Sequence, residues 1–323
     1  GDGHGVPWDE ASRVKSQYHT VYALLGVAAA TVANRPGAHE LLETMLQEQK
    51  DYWIDDYGLV WDQYDEAFTE PVPVHALGTL IHTIEAYMAA AEATTEPEWL
   101  DRAEKMTAFA YKVASKNNWR IPEYYDEEWQ PSLEAGKLCN DGRRYHEGYV
   151  TGHSMQLARF ALQVRAGLRS TGWAVPDYLM ELGTELFERA RVDGWRRTDG
   201  APGFSTAVND QGDPVPGEDE HQQWVVCEGV CATVAVRRAM LDDGHRIDEV
   251  EHFEHCYRSF VDYIHDYLIA QPGRWIRRLG PHNESVQPAK SSRWDVYHAI
   301  QAMLAIRVPL WPPTAPALSR GLL

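Results

Sequence analysis

Tyr149-Val-Thr-Gly-His-Ser-Met-Gln-Leu-Ala-Arg-Phe-Ala-Leu-Gln163 decides how the rest of the chain is read. Gly152 breaks an irregular loop, and Thr151 or Ser154 can cap the helix that follows. Leu157, Phe160, Ala161 and Val164 then recur at helical spacing, as a buried helix requires. His153 therefore falls in a first helical turn, where the loops of a helical scaffold meet. An imidazole there works near neutral pH and can give or take a proton. A histidine that merely caps or packs would look the same in isolation.

Recurrence separates these readings. His82 lies in Leu80-Ile-His-Thr-Ile-Glu-Ala-Tyr87 and His298 in Trp294-Asp-Val-Tyr-His-Ala-Ile-Gln-Ala302, each early in an apolar, Ala-rich stretch. Between them, Gln222-Gln-Trp-Val-Val-Cys-Glu-Gly229 opens another and sets Glu228 one turn after Trp224. His82, His153, Trp224 and His298 stand 71, 71 and 74 residues apart. A fixed period with polar residues in one phase is what stacked repeats produce. Each interval holds about four element lengths, hence two helical hairpins per step.

Composition bounds the rest. A chain of 323 residues with 44% hydrophobic content can bury a large core. The net charge of −18, from 48 acidic and 30 basic residues, disfavours nucleic acid and anionic membrane partners, which need clustered Lys and Arg. Four cysteines are too few for a disulfide framework, and Cys227 and Cys231 read as small packing residues. No zinc-like spacing, membrane-length apolar run or signal peptide is visible, so no metal is expected and the cytoplasm is the default location. The opening Gly1-Asp-Gly-His-Gly-Val-Pro7 reads as a loop, so a first helix is expected to be missing from the chain's start.

In order, helices are expected over Ala11–Val32, Ala38–Tyr52, Ala76–Ala93, Pro97–Ser115, Thr151–Leu168, Pro176–Arg191, Glu220–Asp242, Asp248–Ile269, Asp295–Ile306 and Thr314–Leu322. Asp55–Asp65 has the alternation of a short hairpin. Asn117–Tyr149, Gly194–Gly217 and Pro272–Arg293 are long loops of the kind that carry function. Antiparallel helix pairs with the long loops on one side either close into a toroid, an α/α barrel, or run on as an open solenoid. Polar residues at the start of every other helix favour closure around one shared pocket. No linker divides the chain, so residues 1–323 are expected to form one all-α domain.

Several segments together resemble the N-acylglucosamine 2-epimerase superfamily, most closely its mannose isomerase branch. Glu123-Tyr-Tyr-Asp-Glu-Glu-Trp-Gln-Pro131 resembles the family's aromatic loop, and Gly148-Tyr-Val-Thr-Gly-His153 its Gly-His segment. Gln223-Trp-Val-Val-Cys-Glu228, Lys290 through Gln301, and the tail Leu310–Leu323 resemble three further segments in the same order. The resemblance implies an (α/α)6 barrel and a cofactor-free, metal-free sugar isomerase or epimerase working through a cis-enediol, as a monomer or homodimer. It assigns His153 and His298 to the proton transfer at C2, His82 to ring opening or substrate binding, and Glu228 and Trp224 to the fourth motif. Proton transfer between C1 and C2 needs a base over one carbon and a donor to the carbonyl oxygen, each working near neutral pH. Trp and Tyr faces would supply a platform for sugar C–H surfaces.

Two positions depart from the family. Gln156 stands where it has a glutamate three residues after the histidine; an amide can orient an imidazole but not neutralise it. Gln17 stands where the first helix has an arginine, which removes an electrophile; Arg13, one turn earlier, is poorly placed to substitute. Two alternatives therefore accompany the isomerase reading: another sugar-active catalyst on the same barrel, or a non-catalytic sugar-binding homologue. A glycosidase would need two carboxylates flanking the bond, for which Glu228 with Asp295 or Glu85 is the available choice. Among the remaining candidates, Tyr149, Trp129 and Tyr297 are expected near the ligand, and Asn140 and Asp141 in a lid. Glu85 reads as a helix-holding residue, Glu218-Asp-Glu-His221 as a charged helix start, and His252, His255 and His265 as surface or packing residues.

Overall fold

Every long buried helix of this protein begins the same way, and that beginning positions the site. The computed structural model describes residues 6, 7, 9, 13–198, 201–286 and 295–323. Its helices are α1 (Gln17–Val32), α2 (Ala38–Glu48), α3 (Leu77–Thr94), α4 (Pro97–Ala114), α5 (Leu133–Gly136), α6 (Thr151–Thr171), α7 (Tyr178–Gly194), α8 (Gln223–Asp242), α9 (Glu251–Tyr263), α10 (Val296–Ala305) and α11 (Thr314–Ser319). The first turn expected from Ala11 starts instead at Gln17, and residues 10–12 lie outside the described set, as do Lys290 and Trp294.

Four of the helices without a side-chain cap share one kind of start. Ser16, Ala76, Val150 and Gln222 precede α1, α3, α6 and α8 with extended backbone and no capping side-chain bond. Each is the second residue of a two-residue strand: Lys15–Ser16, His75–Ala76, Tyr149–Val150 and His221–Gln222. Each strand pairs antiparallel with one from a later loop: Gln63–Tyr64, Tyr124–Tyr125, Ala207–Val208 and Arg278–Leu279. The first helical N–H then donates to the carbonyl just before that later strand. The four bonds are Gln17 to Asp62 at 3.0 Å, Leu77 to Glu123 at 2.9 Å, Thr151 to Thr206 at 3.0 Å and Gln223 to Arg277 at 2.9 Å. An orphan N–H that a Ser or Asp side chain usually satisfies is here served by loop backbone.

This corrects the sequence reading at its centre. Neither Thr151 nor Ser154 caps α6; the Thr151 hydroxyl donates to the Ser205 carbonyl at 2.7 Å. Gly152 is the second residue of the helix, not a loop breaker. The outer limits of the other helices shift by a few residues. Ala38–Tyr52 resolves into α2 and a wide turn over Gln49–Trp53, and Asp248–Ile269 into a tight turn, α9 and a second wide turn over Ile264–Leu268.

The chain divides into two compact units, Gly1–Met106 with Pro122–His146, and Thr107–Ile121 with Glu147–Leu323. In the first, α1 packs on α2 and α3. Leu77 through Ala91 of α3 are buried without a break, and the Ala positions among them allow close approach. In the second unit α6 packs on α7 and α8, and α8 also on α9 and α10. α6 and α8 are buried nearly all round, whereas α7 and α9 bury one stripe, such as Leu179, Leu182, Leu186 and Ala190. A helix apolar all round must be enclosed, and an amphipathic one lies outside it. Each fully buried Leu or Phe of such a core contributes roughly 1.5–3 kcal/mol. Phe160, Phe187, Phe204 and Phe260 are fully buried in the second unit.

Candidate active site

In the second unit the first turns of α6 and α8, each led in by its strand, and of α10, capped by Asp295, come together around Trp224. The indole is half-buried, and its Nε1 donates to Gln222 Oε1 at 2.8 Å. His153, in the first turn of α6, lies with its ring centroid 5.4 Å from that indole, tilted by 45°. His298, in the first turn of α10, lies 5.7 Å from it at the same tilt. Two imidazoles 145 residues apart in the chain thus flank one aromatic ring. Gly152 makes this possible: a Cβ there would lie 2.3 Å from the indole.

Charge is organised around His298. Asp295 is the N-cap of α10, with Oδ1 accepting from the His298 backbone at 3.2 Å and Oδ2 meeting His298 Nδ1 at 2.7 Å. Burial alone would raise the Asp295 carboxyl. The hydrogen bonds and charge of His298 outweigh it and hold the carboxyl below the usual carboxylate range. An ionised carboxylate only accepts, so Nδ1 carries the hydrogen and Nε2 is the nitrogen left to exchange protons. Nε2 lies 3.8 Å from Glu228 Oε1, too long for a hydrogen bond but within ion-pair reach. Glu228 is fully buried and is forked by Arg159, whose Nε and terminal nitrogen reach it at 3.1, 3.0 and 2.9 Å. The fork offsets the cost of burying the carboxylate. The Gln156 amide nitrogen lies 3.5 Å from Glu228 Oε1. Beside Arg159 is a water-sized cavity of about 20 Å³, bordered also by Gln163, Cys231 and Gln301.

The first unit holds His82, buried on α3. Its Nδ1 lies 3.2 Å from Glu85 Oε2 and its Nε2 2.7 Å from the Tyr22 hydroxyl. Tyr18 approaches the ring edge-on at 5.5 Å. Glu85 therefore orients the imidazole as well as sitting on its helix. The Arg143 guanidinium lies 4.7 Å from the Tyr18 ring and bonds Asp62, Thr79 (2.8 Å) and Asp141 (3.0 Å). Asp141 also accepts from Ser16 at 2.6 Å, so this loop is tied down rather than loose.

Other candidates have different employment. Gln17 is fully buried, its amide bonded to Gln49 at 2.5 Å. Arg13 pairs with Glu66 at the surface. Trp129 is 5% exposed, stacked on His75 at 4.0 Å with its N–H donated to Asp55 at 2.7 Å, which gives it a packing role. The Tyr149 hydroxyl donates to Asp210 at 2.6 Å, and Tyr297 stands edge-on to His298 at 4.8 Å. His221 is buried and bonded to Asn283 at 2.8 Å; His252 and His265 pair with Glu188 and Asp266. Cys227 is buried on α8, and burial pushes its thiol up. Among the described residues no three His, Cys, Asp or Glu group as a metal-ligand set, and no helix is long and apolar enough to cross a membrane. Arg159 escaped the sequence reading. Its signal was there, a lone cation among Leu157, Ala158, Phe160 and Ala161 on a buried helix.

The family model for N-acylglucosamine 2-epimerase matches residues 7–302. A D-mannose isomerase of Thermobifida fusca is 31% identical over 94% of this chain and 72% of that protein. The crystal structure of a D-mannose isomerase aligns with a TM-score of 0.77 at 21% identity, over 91% of this chain and 72% of that one. A cellobiose 2-epimerase from Spirochaeta thermophila aligns at 0.72 and 16% identity, over 91% and 70%. These structural likenesses place the fold in the (α/α)6-barrel class.

Proposed function

Since this chain belongs to the N-acylglucosamine 2-epimerase family and is an isomerase or epimerase of sugars, we propose that it interconverts an aldose such as mannose with the matching 2-ketose through a cis-enediol. His153 and His298 are the acid–base pair. One removes the proton from C2 of the open-chain aldose as the carbonyl oxygen is protonated, which leaves the enediol. Return of a proton to C1, with loss of the O2 proton, gives the ketose; return to the opposite face of C2, with loss of the O1 proton, gives the epimer. The observation that carries this reading is the pair of imidazoles flanking Trp224. Asp295 leaves His298 Nε2 as the transferring nitrogen, and the indole offers an apolar face to sugar C–H bonds. His82, oriented by Glu85 and Tyr22, is assigned to ring opening. Tyr297 borders the sugar from beside His298, and residues 1–323 act as one domain.

The test is deuterium uptake at C2, followed by NMR in heavy water with mannose, fructose and a panel of other aldoses and ketoses. Exchange is expected for at least one pair, with His153→Ala and His298→Ala each slower by roughly 10²- to 10⁴-fold. Binding without exchange would leave a sugar-binding protein, and release of a fragment would replace isomerisation with another reaction.

A further inference from the structure

We propose that Arg159 is a positioning residue that acts through Glu228 to set how readily His298 takes up a proton. The proposal rests on the reading of His298 as one of the acid–base pair and adds a residue to it. His298 lies between two carboxylates, Asp295 at Nδ1 and Glu228 near Nε2. Negative charges on both sides of a ring each favour a cation between them. Only one of them acts at full strength, because the Arg159 fork occupies both oxygens of Glu228.

Among the described residues, the following groups face His298. On its own helix they are Asp295 and Tyr297, and from α8 Glu228 and Trp224. From α6, Arg159 stands behind Glu228 and His153 lies across the indole. Arg277 also acts on Asp295 by its charge. Of these, Arg159 is the cation placed directly on a carboxylate beside Nε2.

The experiment follows the His298 ring by carbon NMR in histidine-labelled protein, assigned by its loss in His298→Ala. The wild type is compared with Arg159→Gln, Arg159→Lys, Glu228→Gln and the double variant Arg159→Gln/Glu228→Gln. Unmasking the Glu228 carboxylate in Arg159→Gln raises the His298 midpoint by at least about one pH unit, a tenfold gain in proton affinity. Arg159→Lys stays within a few tenths. Glu228→Gln, which leaves the Arg159 cation uncompensated, falls below the wild type, and the double variant lies between Glu228→Gln and Arg159→Gln. The same limb of the kcat/KM pH profile moves with the midpoint. A midpoint unmoved in Arg159→Gln overturns the proposal. So does a shift that persists undiminished in the double variant, or a midpoint that moves while the pH profile does not. Where Arg159→Gln fails to fold, an unmoved Glu228→Gln midpoint is equally decisive. Sugar exchange that is absent altogether while the titration moves as stated overturns the isomerase reading and leaves the charge coupling in place.

Discussion

Gly152 shows what a single residue can decide and how little of that a sequence reveals. Its Cβ would approach Trp224 Cζ3 to 2.3 Å and Cη2 to 2.5 Å, distances no real contact shows. The indole would have to move, and both imidazoles are measured against it. Gly152→Ala is therefore expected to lower kcat/KM by about 10²-fold and stability by roughly 1–3 kcal/mol, with a changed Trp fluorescence spectrum. Gly26→Ala is the control: it lies within α1, nothing stands within 4 Å of a Cβ there, and it should stabilise by about 0.5–1 kcal/mol. Thermal melts alongside exchange assays check both. The sequence shows a glycine before a helix and suggests a break. The reason for the glycine stands 72 residues later, in Trp224, where no local pattern can point. Arg159 is the same case, since its partner Glu228 lies 69 residues away.

At the scale of elements, periodicity found most helices because burial writes itself into spacing: Trp99, Leu100, Ala103 and Met106 mark one face of α4. The helix starts were less legible, because the acceptors of their first N–H groups are backbone carbonyls such as Asp62 and Thr206, which any residue type could supply. Asn140 and Asp141 are the extreme case, expected in a lid and found tied down: Asp141 accepts from Ser16 just before α1, and the Asn140 N–H donates to Gln63. Burial would raise the Asp141 carboxyl, but Arg143 and Ser16 outweigh it and hold the carboxyl below its usual value. A carboxyl lowered in the folded state binds fewer protons there than in the unfolded chain. Its stabilisation is full above an unfolded value of about 3.9 and is lost as pH falls through the folded one. Asp141→Asn should lower the melting temperature by a few degrees at pH 6–7 and make it fall less steeply between about pH 4 and pH 2. Parallel slopes for the two proteins across that range would remove Asp141 as a source of acid lability.

For the whole molecule, the period of 71 to 74 residues reappears in part. The strand-to-helix junctions before α3, α6 and α8 set the helix starts Leu77, Thr151 and Gln223 at intervals of 74 and 72 residues, whereas α1 starts 60 residues before α3 and α10 starts from its Asp295 cap. The period says nothing of where the chain divides, because stacked repeats carry no linker. The division falls inside α4: Pro97–Met106 belongs to one compact unit and the helix from Thr107 to Ala114 to the other. α4 buries Trp99, Leu100, Ala103 and Met106 on one side of that point and Thr107, Ala110 and Ala114 on the other. α4 runs unbroken across that point, so unfolding one unit alone opens its hydrogen-bond ladder there. Urea unfolding of the intact chain is therefore expected to be one transition, coincident by Trp fluorescence and far-UV circular dichroism. Thr107→Pro, which breaks the ladder at the boundary, should lower the midpoint and pull the two probes apart. Two separate transitions in the unaltered chain would mean that α4 transmits no cooperativity, and the one-domain reading of residues 1–323 would give way to two independently stable halves.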